Sequence, residues 1–165
     1  MEFEEFVAAR GRALERYAFV LTGDAHRSQD LVQTALVKAY RRWRWVTRAE
    51  HPDAYVRRIV TTSYLDWRRR RGNREEPLPD LPEPATPSPD PAEGVALRDE
   101  LRRALATLSR HQRAVLVLRH YEGYDDAAIA AVLGCSEGTV RAHASRGAQR
   151  LRAALLPTRL PEGPR

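Results

Sequence analysis

The chain has 165 residues, enough for one domain or two small ones, and a formal net charge of +6 that favours a polyanionic partner. Its single cysteine excludes an intramolecular disulfide, no apolar run is long enough to span a bilayer, and residues 1–5 do not resemble a signal peptide. We therefore expect a soluble, cytoplasmic protein with no membrane partner.

Charge is distributed unevenly along the chain. Residues 38–74 carry twelve Lys or Arg against three Asp or Glu, and residues 98–165 carry twelve against seven. Residues 75–97 carry six acids and no base. Two basic blocks therefore flank an acidic connector.

Two helices are predicted in the first part of the chain. Apolar residues recur at helical spacing from Phe3 to Leu21, and Gly23 follows as a helix stop. Asp24 can cap the second helix. The apolar side of that helix is predicted to hold Leu31, Val32, Ala35, Leu36, Ala39, Tyr40 and Trp43.

A third helix is predicted from Pro52, a favoured first-turn residue, into the arginine run at 68–71. Tyr55, Tyr64 and Trp67 interleave with its arginines, a mixture that suits phosphate contacts beside surfaces on which unpaired bases stack. The aromatic residues could equally belong to the core, and the arginines to a solvated helix end. The three helices are expected to form one small bundle.

Residues 75–94 contain seven prolines and six acids and almost no large apolar side chain, so they cannot pack a core of their own. We interpret 75–96 as a semi-extended linker, which at about 3.1 Å per residue could reach roughly 60 Å. It would join a domain at 1–74 to a second domain at 97–156. The short tail at 157–165 leads us to expect no appended regulatory domain.

The second domain is predicted to contain four helices, which makes the chain all-α. Ser109 and Gln112 fit a capping box. Residues 125–155 are typical of a helix-turn-helix, because Gly134 stands where a chain leaving a helix needs positive φ and Ser136 can cap the next helix. Cys135, in the turn, is expected to be a small core residue.

The last predicted helix has one narrow apolar stripe and an opposite polar face. The stripe consists of Val140, Ala144, Gly147, Leu151 and Leu155. Short polar groups and arginines on the other face suit contacts to base edges and phosphates, although a solvated amphipathic hairpin would show the same pattern. The polar face and its margins hold Ser136, Gly138, Thr139, Arg141, Ala142, Ser145, Arg146 and Gln149.

No catalytic set, metal site or cofactor site is predicted. The five histidines lack metal-ligand spacing, and the sequence has no Gly-rich phosphate loop. Asp125 and Asp126 are more simply explained as a helix start than as acid and base. An enzyme acting on nucleic acid is thus the weakest hypothesis.

Three motifs, in this order, resemble the sigma-70 family of bacterial RNA polymerase sigma factors, specifically the extracytoplasmic function (ECF) subfamily and its small actinobacterial sigma-E-like group. Asp30–Leu36 with Trp43 is similar to region 2.2. Pro52–Arg71 is similar to regions 2.3 to 2.4, and Leu105–Leu155 to regions 4.1 to 4.2.

The resemblance implies a sigma-2 and a sigma-4 domain that bind core RNA polymerase, through the β′ coiled coil and the β flap, and direct initiation on duplex and melted promoter DNA. An anti-sigma factor is a further implied partner. The resemblance assigns the polymerase interface to Asp30, Gln33, Arg41 and Arg42. Recognition of the −10 element is assigned to His51, Asp53, Tyr55, Arg58, Thr62, Arg68 and Arg69. Recognition of the −35 element is assigned to Ser136, Gly138, Thr139, Arg141, Ala142, Ser145 and Arg146.

Two positions depart from the family pattern. Thr62 stands where Asn is usual, and Ala128 where Glu is common. The shorter side chain at 62 is expected to change promoter preference. A stand-alone helix-turn-helix regulator remains the alternative function.

Overall fold

The computed structural model describes residues 1–49, 51–70 and 92–156, with the backbone alone at 67–70 and 92–97. Within these ranges the chain is helical and contains no strand, as the all-α prediction requires. The helices are α1 (Phe3–Thr22), α2 (Ala25–Tyr40), α3 (Trp43–Val46), α4 (Pro52–Arg70), α5 (Ala92–Ala106), α6 (Arg110–Leu116), α7 (Asp126–Leu133) and α8 (Glu137–Leu155).

Helix boundaries follow the local signals in the sequence. Gly23 ends α1 in the left-handed region, with φ of 69°, and Asp24 caps α2 by accepting a hydrogen bond from the backbone of Arg27 at 2.9 Å. Ser109 and Gln112 form the predicted capping box at the start of α6.

The end of α2 differs from the prediction. The helix stops at Tyr40, whose side chain is 61% exposed, and the chain turns before the short helix α3. Trp43 is still half-buried, because its ring packs against Phe3 and Phe6 and its indole nitrogen donates to the Met1 carbonyl oxygen at 3.2 Å. The turn therefore brings Trp43 over the start of α1, while Tyr40 packs against Phe3 with ring centroids 4.9 Å apart and remains mostly exposed.

Two further departures concern the second half. Helix α5 begins at Ala92, five residues before the expected domain start, whereas most of the predicted linker and the tail at 157–165 lie outside the described residues. Helix α6 continues as one π-helical turn, Val117–Tyr121, after which the Glu122 backbone donates to the Val117 carbonyl oxygen at 3.1 Å. This wider turn leads the chain into the loop before α7.

The two halves share one apolar core. In the first half α1, α2 and α4 pack together, and in the second half α8 packs against α5, α6 and α7. Helix α4 also contacts α6 and α7 across the halves. The largest fully buried side chains come from both halves and include Tyr17, Tyr64, Phe6, Leu14, Leu118 and Ile129.

Gly147 gives a direct test of how α8 packs on α6. A Cβ atom there would lie 3.2 Å from the Gln112 Cβ and 3.2 Å from the Leu116 Cδ1. Gly147→Leu is expected to lower the free energy of unfolding by about 1–3 kcal/mol through overpacking, because leucine itself is a good helix former.

The matched control is Gly11→Ala in α1, where a Cβ would lie 3.9 Å from Val7. That change should instead stabilise the protein by about 0.5–1 kcal/mol. Urea unfolding measures both variants, and a Gly147→Leu protein as stable as the unaltered chain would contradict this packing.

Candidate nucleic-acid and polymerase interfaces

Helix α8 has the two faces that its sequence predicts. Ser136 is its N-cap, and the Ser136 hydroxyl accepts a hydrogen bond from the Thr139 backbone at 3.1 Å. Val140, Ala144 and Gly147 are buried against the rest of the second half. The predicted face contains the exposed residues Ser136, Gly138, Thr139, Arg141, Ser145 and Arg146, with Ala142 half-buried at its margin.

Arg141 lies beside two carboxylates on the polar face of α8. Its Nη1 is 3.9 Å from an Asp126 oxygen and 3.8 Å from a Glu137 oxygen, while 61% of its side chain remains exposed. Exposed ion pairs of this length contribute little free energy. The Arg141 guanidinium can therefore turn toward a phosphate or a base edge at small cost.

Helix α7 and the turn before α8 have the predicted helix end at Gly134 and the predicted cap at Asp125. Gly134 ends α7 with φ of 67°, and Asp125 begins α7 by accepting a hydrogen bond from the Ala128 backbone at 2.8 Å. Cys135 is half-buried against the core. Asp126 forms an ion pair with Arg119, so both aspartates have structural roles at this helix start.

A pair of stacked histidines joins α6 to α8. The His111 and His143 rings lie 5.4 Å apart with 18° between their planes. Burial lowers the pKa of His111 below its usual value of 6.5, and the nearby charges of Arg110 and His143 lower it further. The lowered pKa favours the neutral form of His111 where it packs against α8.

This lowered pKa predicts a pH dependence of stability. The unfolded chain binds a proton at His111 more readily than the folded chain does. The contribution of neutral His111 to the free energy of unfolding is therefore complete above about pH 6.5 and is lost as pH falls through the folded pKa. We expect the melting temperature to fall between pH 7.5 and 5.5, and to fall less in His111→Gln. His120→Gln, an exposed histidine outside the stack, is the control. An equal fall in His111→Gln and the unaltered protein would contradict this assignment.

The predicted −10 residues do not all face the same surroundings. His51 and Arg58 are exposed, whereas Tyr55 and Thr62 are half-buried. The Thr62 hydroxyl donates to the Arg58 carbonyl oxygen at 2.9 Å and so retains acceptor capacity. Arg68 and Arg69 belong to α4, but their side chains lie outside the described residues.

Asp53 is turned away from this exposed surface. One of its carboxylate oxygens pairs with the Nε of Arg57, one turn along α4, at 2.7 Å. Its other oxygen is buried and has no hydrogen-bond partner among the described residues. In this arrangement Asp53 faces the junction between the two halves.

Periodicity alone could not decide whether Tyr64 and Trp45 are buried or exposed. Tyr64 is fully buried, in agreement with the core alternative. Trp45, which no sequence motif indicated as a contact residue, is 72% exposed, and the Arg48 guanidinium carbon lies 5.6 Å from its ring centroid. Since Trp43 is half-buried and lies only two residues away, helical geometry directs Trp45 to a different face.

The predicted polymerase residues are all on the surface. Asp30 and Gln33 are exposed on α2, and Arg41 and Arg42 are exposed directly after it. Two exposed apolar side chains, Val37 and Tyr40, follow Gln33 at intervals of four and three residues. This mixed apolar and charged surface lies opposite the buried side of α2.

Metal and membrane sites have no support in the part of the chain that the structure covers. No cluster of three or more His, Cys, Asp or Glu side chains that could hold a metal ion occurs there. Nor does any helix in these ranges combine the length and apolarity needed to cross a membrane.

Comparisons with known proteins agree with these features. Residues 6–74 match the family model for sigma-70 region 2, and residues 98–151 match the model for sigma-70 region 4. The chain is 41% identical over 156 residues to the RNA polymerase sigma-E factor of Streptomyces coelicolor, covering 94% of this chain and 87% of that protein. It is 32% identical over 145 residues to the ECF RNA polymerase sigma factor SigL of Mycobacterium tuberculosis, covering 86% and 82%.

A solved structure shows the same fold. The sigma factor RpoE, in complex with the anti-sigma factor NepR from Bartonella quintana, superimposes with a TM-score of 0.71 over 95% of this chain and 98% of that chain, at 24% identity.

The helical described residues, with a capped helix-turn-helix and an exposed polar face that carries arginines, have the features of the class of DNA-binding proteins. The chain belongs to the sigma-70 family, in its ECF subfamily. It directs promoter-specific transcription initiation as a sigma factor, and the stand-alone regulator is not favoured. Sigma factors are initiation factors without an enzymatic role of their own.

Proposed function

We propose that residues 1–74 bind core RNA polymerase and the −10 element, and that residues 97–156 bind the −35 element. The observation that carries this proposal is α8, whose polar face is exposed while its apolar stripe is buried. The chain itself contributes binding and positioning, acts in the cytoplasm and carries out no covalent chemistry.

For the −35 element, α8 is proposed to lie in the major groove. Arg141 and Arg146 would make the base and phosphate contacts that discriminate most strongly, because a guanidinium can donate two hydrogen bonds to one guanine. Gly138 leaves room for the backbone to approach, since even an added Cβ there would meet no atom closer than 3.8 Å. Ser136, Thr139 and Ser145 provide short donors and acceptors around these residues.

For the −10 element, we propose that His51, Arg58 and Thr62 form the contact surface, with Arg68 and Arg69 extending it along α4. Trp45 adds an exposed ring on which an unpaired base can stack, next to the positive charge of Arg48. Asp53 and Tyr55 become available to DNA to the extent that the two halves separate.

For the polymerase, the proposed contact is the surface formed by Asp30, Gln33, Arg41 and Arg42. Val37 and Tyr40 supply the apolar centre that charged residues alone would lack. An anti-sigma factor is a further proposed partner, supported by solved structures in which RpoE is bound to NepR and CnrH to the cytosolic domain of CnrY.

Gel retardation of the DNA fragment upstream of the gene for this chain tests the proposal. The chain, core polymerase and the mixture are compared at equal ionic strength, because phosphate contacts weaken steeply with salt. We expect specific retention only in the mixture. Specific retention by the chain alone, unchanged when polymerase is added, would support a stand-alone regulator instead.

A further inference from the structure

Glu122 is a buried carboxylate at the junction of the two halves. It follows the π-helical turn of the second half, and only 7% of its side chain is exposed. Its partner is the Arg57 guanidinium on α4 of the first half. A buried carboxylate needs a cation and hydrogen bonds to remain charged, so this position depends on a residue from the other half.

Arg57 is held in place by several groups of the first half. Its Nε pairs with Asp53 at 2.7 Å, and its guanidinium carbon lies 5.7 Å from the centroid of the buried Tyr17 ring. The Tyr17 hydroxyl is in turn hydrogen-bonded to the Thr61 hydroxyl at 2.6 Å. The guanidinium is thus oriented toward Glu122.

A second contact between the halves lies at the end of α1. Buried Arg113 on α6 donates to the Val20 carbonyl oxygen from Nε at 3.0 Å and from Nη2 at 2.8 Å. The last carbonyls of a helix lack acceptor partners within the helix and favour a nearby cation, and α1 has no basic residue in its last turn. Arg113 provides that cation from the second half.

Aromatic residues complete the junction. The Tyr17 and Tyr121 rings stack with their centroids 6.4 Å apart. Burial raises the pKa of Tyr124, and the charges of Arg57 and Asp53 both act on its hydroxyl. Tyr124 therefore lies close to the same ion pair.

We infer that the Arg57–Glu122 pair acts as a latch that holds the free chain in a closed state, in which the proposed −10 and −35 surfaces cannot reach their two elements together. The halves contact each other directly through α4, α6 and α7. Promoter elements two helical turns apart are separated by roughly 70 Å. Residues 71 to 91 are twenty-one in number and could reach roughly 70 Å when fully extended. The two surfaces can therefore meet both elements only after the halves separate.

A latch made of charges can open and close reversibly. When the halves separate, both Arg57 and Glu122 regain water, so the net attraction of the pair is modest. If Arg57 is removed, however, Glu122 is left buried without a cation, and if Glu122 is replaced by arginine, two guanidinium groups face each other, so the closed state is strongly disfavoured in both cases. The closed state also reduces the apparent affinity for any partner that binds the open state, in proportion to the open fraction. This last consequence depends on the sigma-factor role proposed above.

The distance between the halves tests the latch directly. Spin labels are placed at two exposed positions, Ala8→Cys and Ala153→Cys, in a full-length chain that carries Cys135→Ser. Pulsed electron resonance then gives the distance distribution for the unaltered pair, for Glu122→Arg, and for Arg57→Glu/Glu122→Arg. Glu15→Arg is the control, because it makes the same charge change at an exposed carboxylate of α1.

We expect one short, narrow distribution for the unaltered chain and for Glu15→Arg. Glu122→Arg should shift the equilibrium by on the order of 100-fold toward a long, broad distribution. The reversed pair Arg57→Glu/Glu122→Arg should recover most of the short distance, with a part lost because the new carboxylate at position 57 lies beside Asp53. A long distribution in the unaltered chain, no change in Glu122→Arg, or no recovery in the reversed pair would each overturn the latch. Circular dichroism of every variant shows whether helix content is kept, and loss of helix that the reversed pair does not recover also counts against it.

Core polymerase binding separates the latch from the proposed function. Glu122→Arg should bind core polymerase several-fold more tightly than the unaltered chain, and the reversed pair should return most of the way to the original affinity. If Glu122→Arg opens the chain but its affinity for polymerase is unchanged, the autoinhibitory role is overturned. If no variant binds polymerase, the sigma-factor role fails. The distance measurement still shows whether the Arg57–Glu122 pair holds the two halves together.

Discussion

Removing Arg141 and Arg146 together is expected to reduce −35 recognition by the holoenzyme by at least about tenfold. Each guanidinium that contacts a base discriminates by about 1–3 kcal/mol, which corresponds to roughly 5- to 150-fold in affinity. Both side chains are exposed on the polar face of α8, so their loss should leave the fold intact. Equilibrium binding of promoter fragments with the −35 element present or scrambled measures the effect.

The control for this prediction removes two exposed arginines of α1, Arg12→Ala and Arg16→Ala, and so matches the change in net charge. A loss that is equal for intact and scrambled elements would indicate phosphate contacts alone. Wild-type affinity and wild-type preference in the Arg141→Ala/Arg146→Ala protein would show that this face of α8 does not contact DNA.

Shortening the segment between the halves is expected to have the second large effect. Deletion of about ten residues from 77–91 should strongly impair promoters that need both elements, because the remaining chain is too short for the separation of roughly 70 Å. Binding of core polymerase through the surface around Asp30 and Gln33 should persist. Replacement of 77–91 by a Gly/Ser chain of equal length should keep activity within a few-fold, although effective concentration changes with chain stiffness.

Transcription and core binding are measured on the same preparations. Equal activity after the deletion would show that reach is not the function of this segment. Loss of core binding after the deletion would show that the segment takes part in the polymerase contact.

The fold of each half was predictable because its signals are local. Gly23 and Gly134 end their helices at positive φ, and Asp24, Ser109 and Ser136 cap theirs, all within three or four residues of the group they bond. Such contacts depend on spacing along the chain, which the sequence displays directly. The buried stripe of α8 is another example, since a period of 3.6 defines one face.

The junction between the halves was not predictable, because it depends on residues far apart in the sequence. Glu122 stands in a short polar stretch that indicates only a loop, and its partner Arg57 lies sixty-five residues earlier. Asp53 has the same character: the family resemblance assigned it to the −10 element, whereas the structure pairs it with Arg57. Trp45 was missed because it lies in the short helix α3 after the turn, and Tyr40 was placed in the core although it remains mostly exposed while its ring packs against Phe3.

The most direct test of the central claim is run-off transcription with purified core polymerase on the DNA upstream of the gene for this chain. We predict a new start site that requires both core polymerase and the chain, and that is lost with Arg141→Ala/Arg146→Ala but kept with Arg12→Ala/Arg16→Ala. If adding the chain produces no new start site on that template, the assignment of this protein as a promoter-directing sigma factor is contradicted.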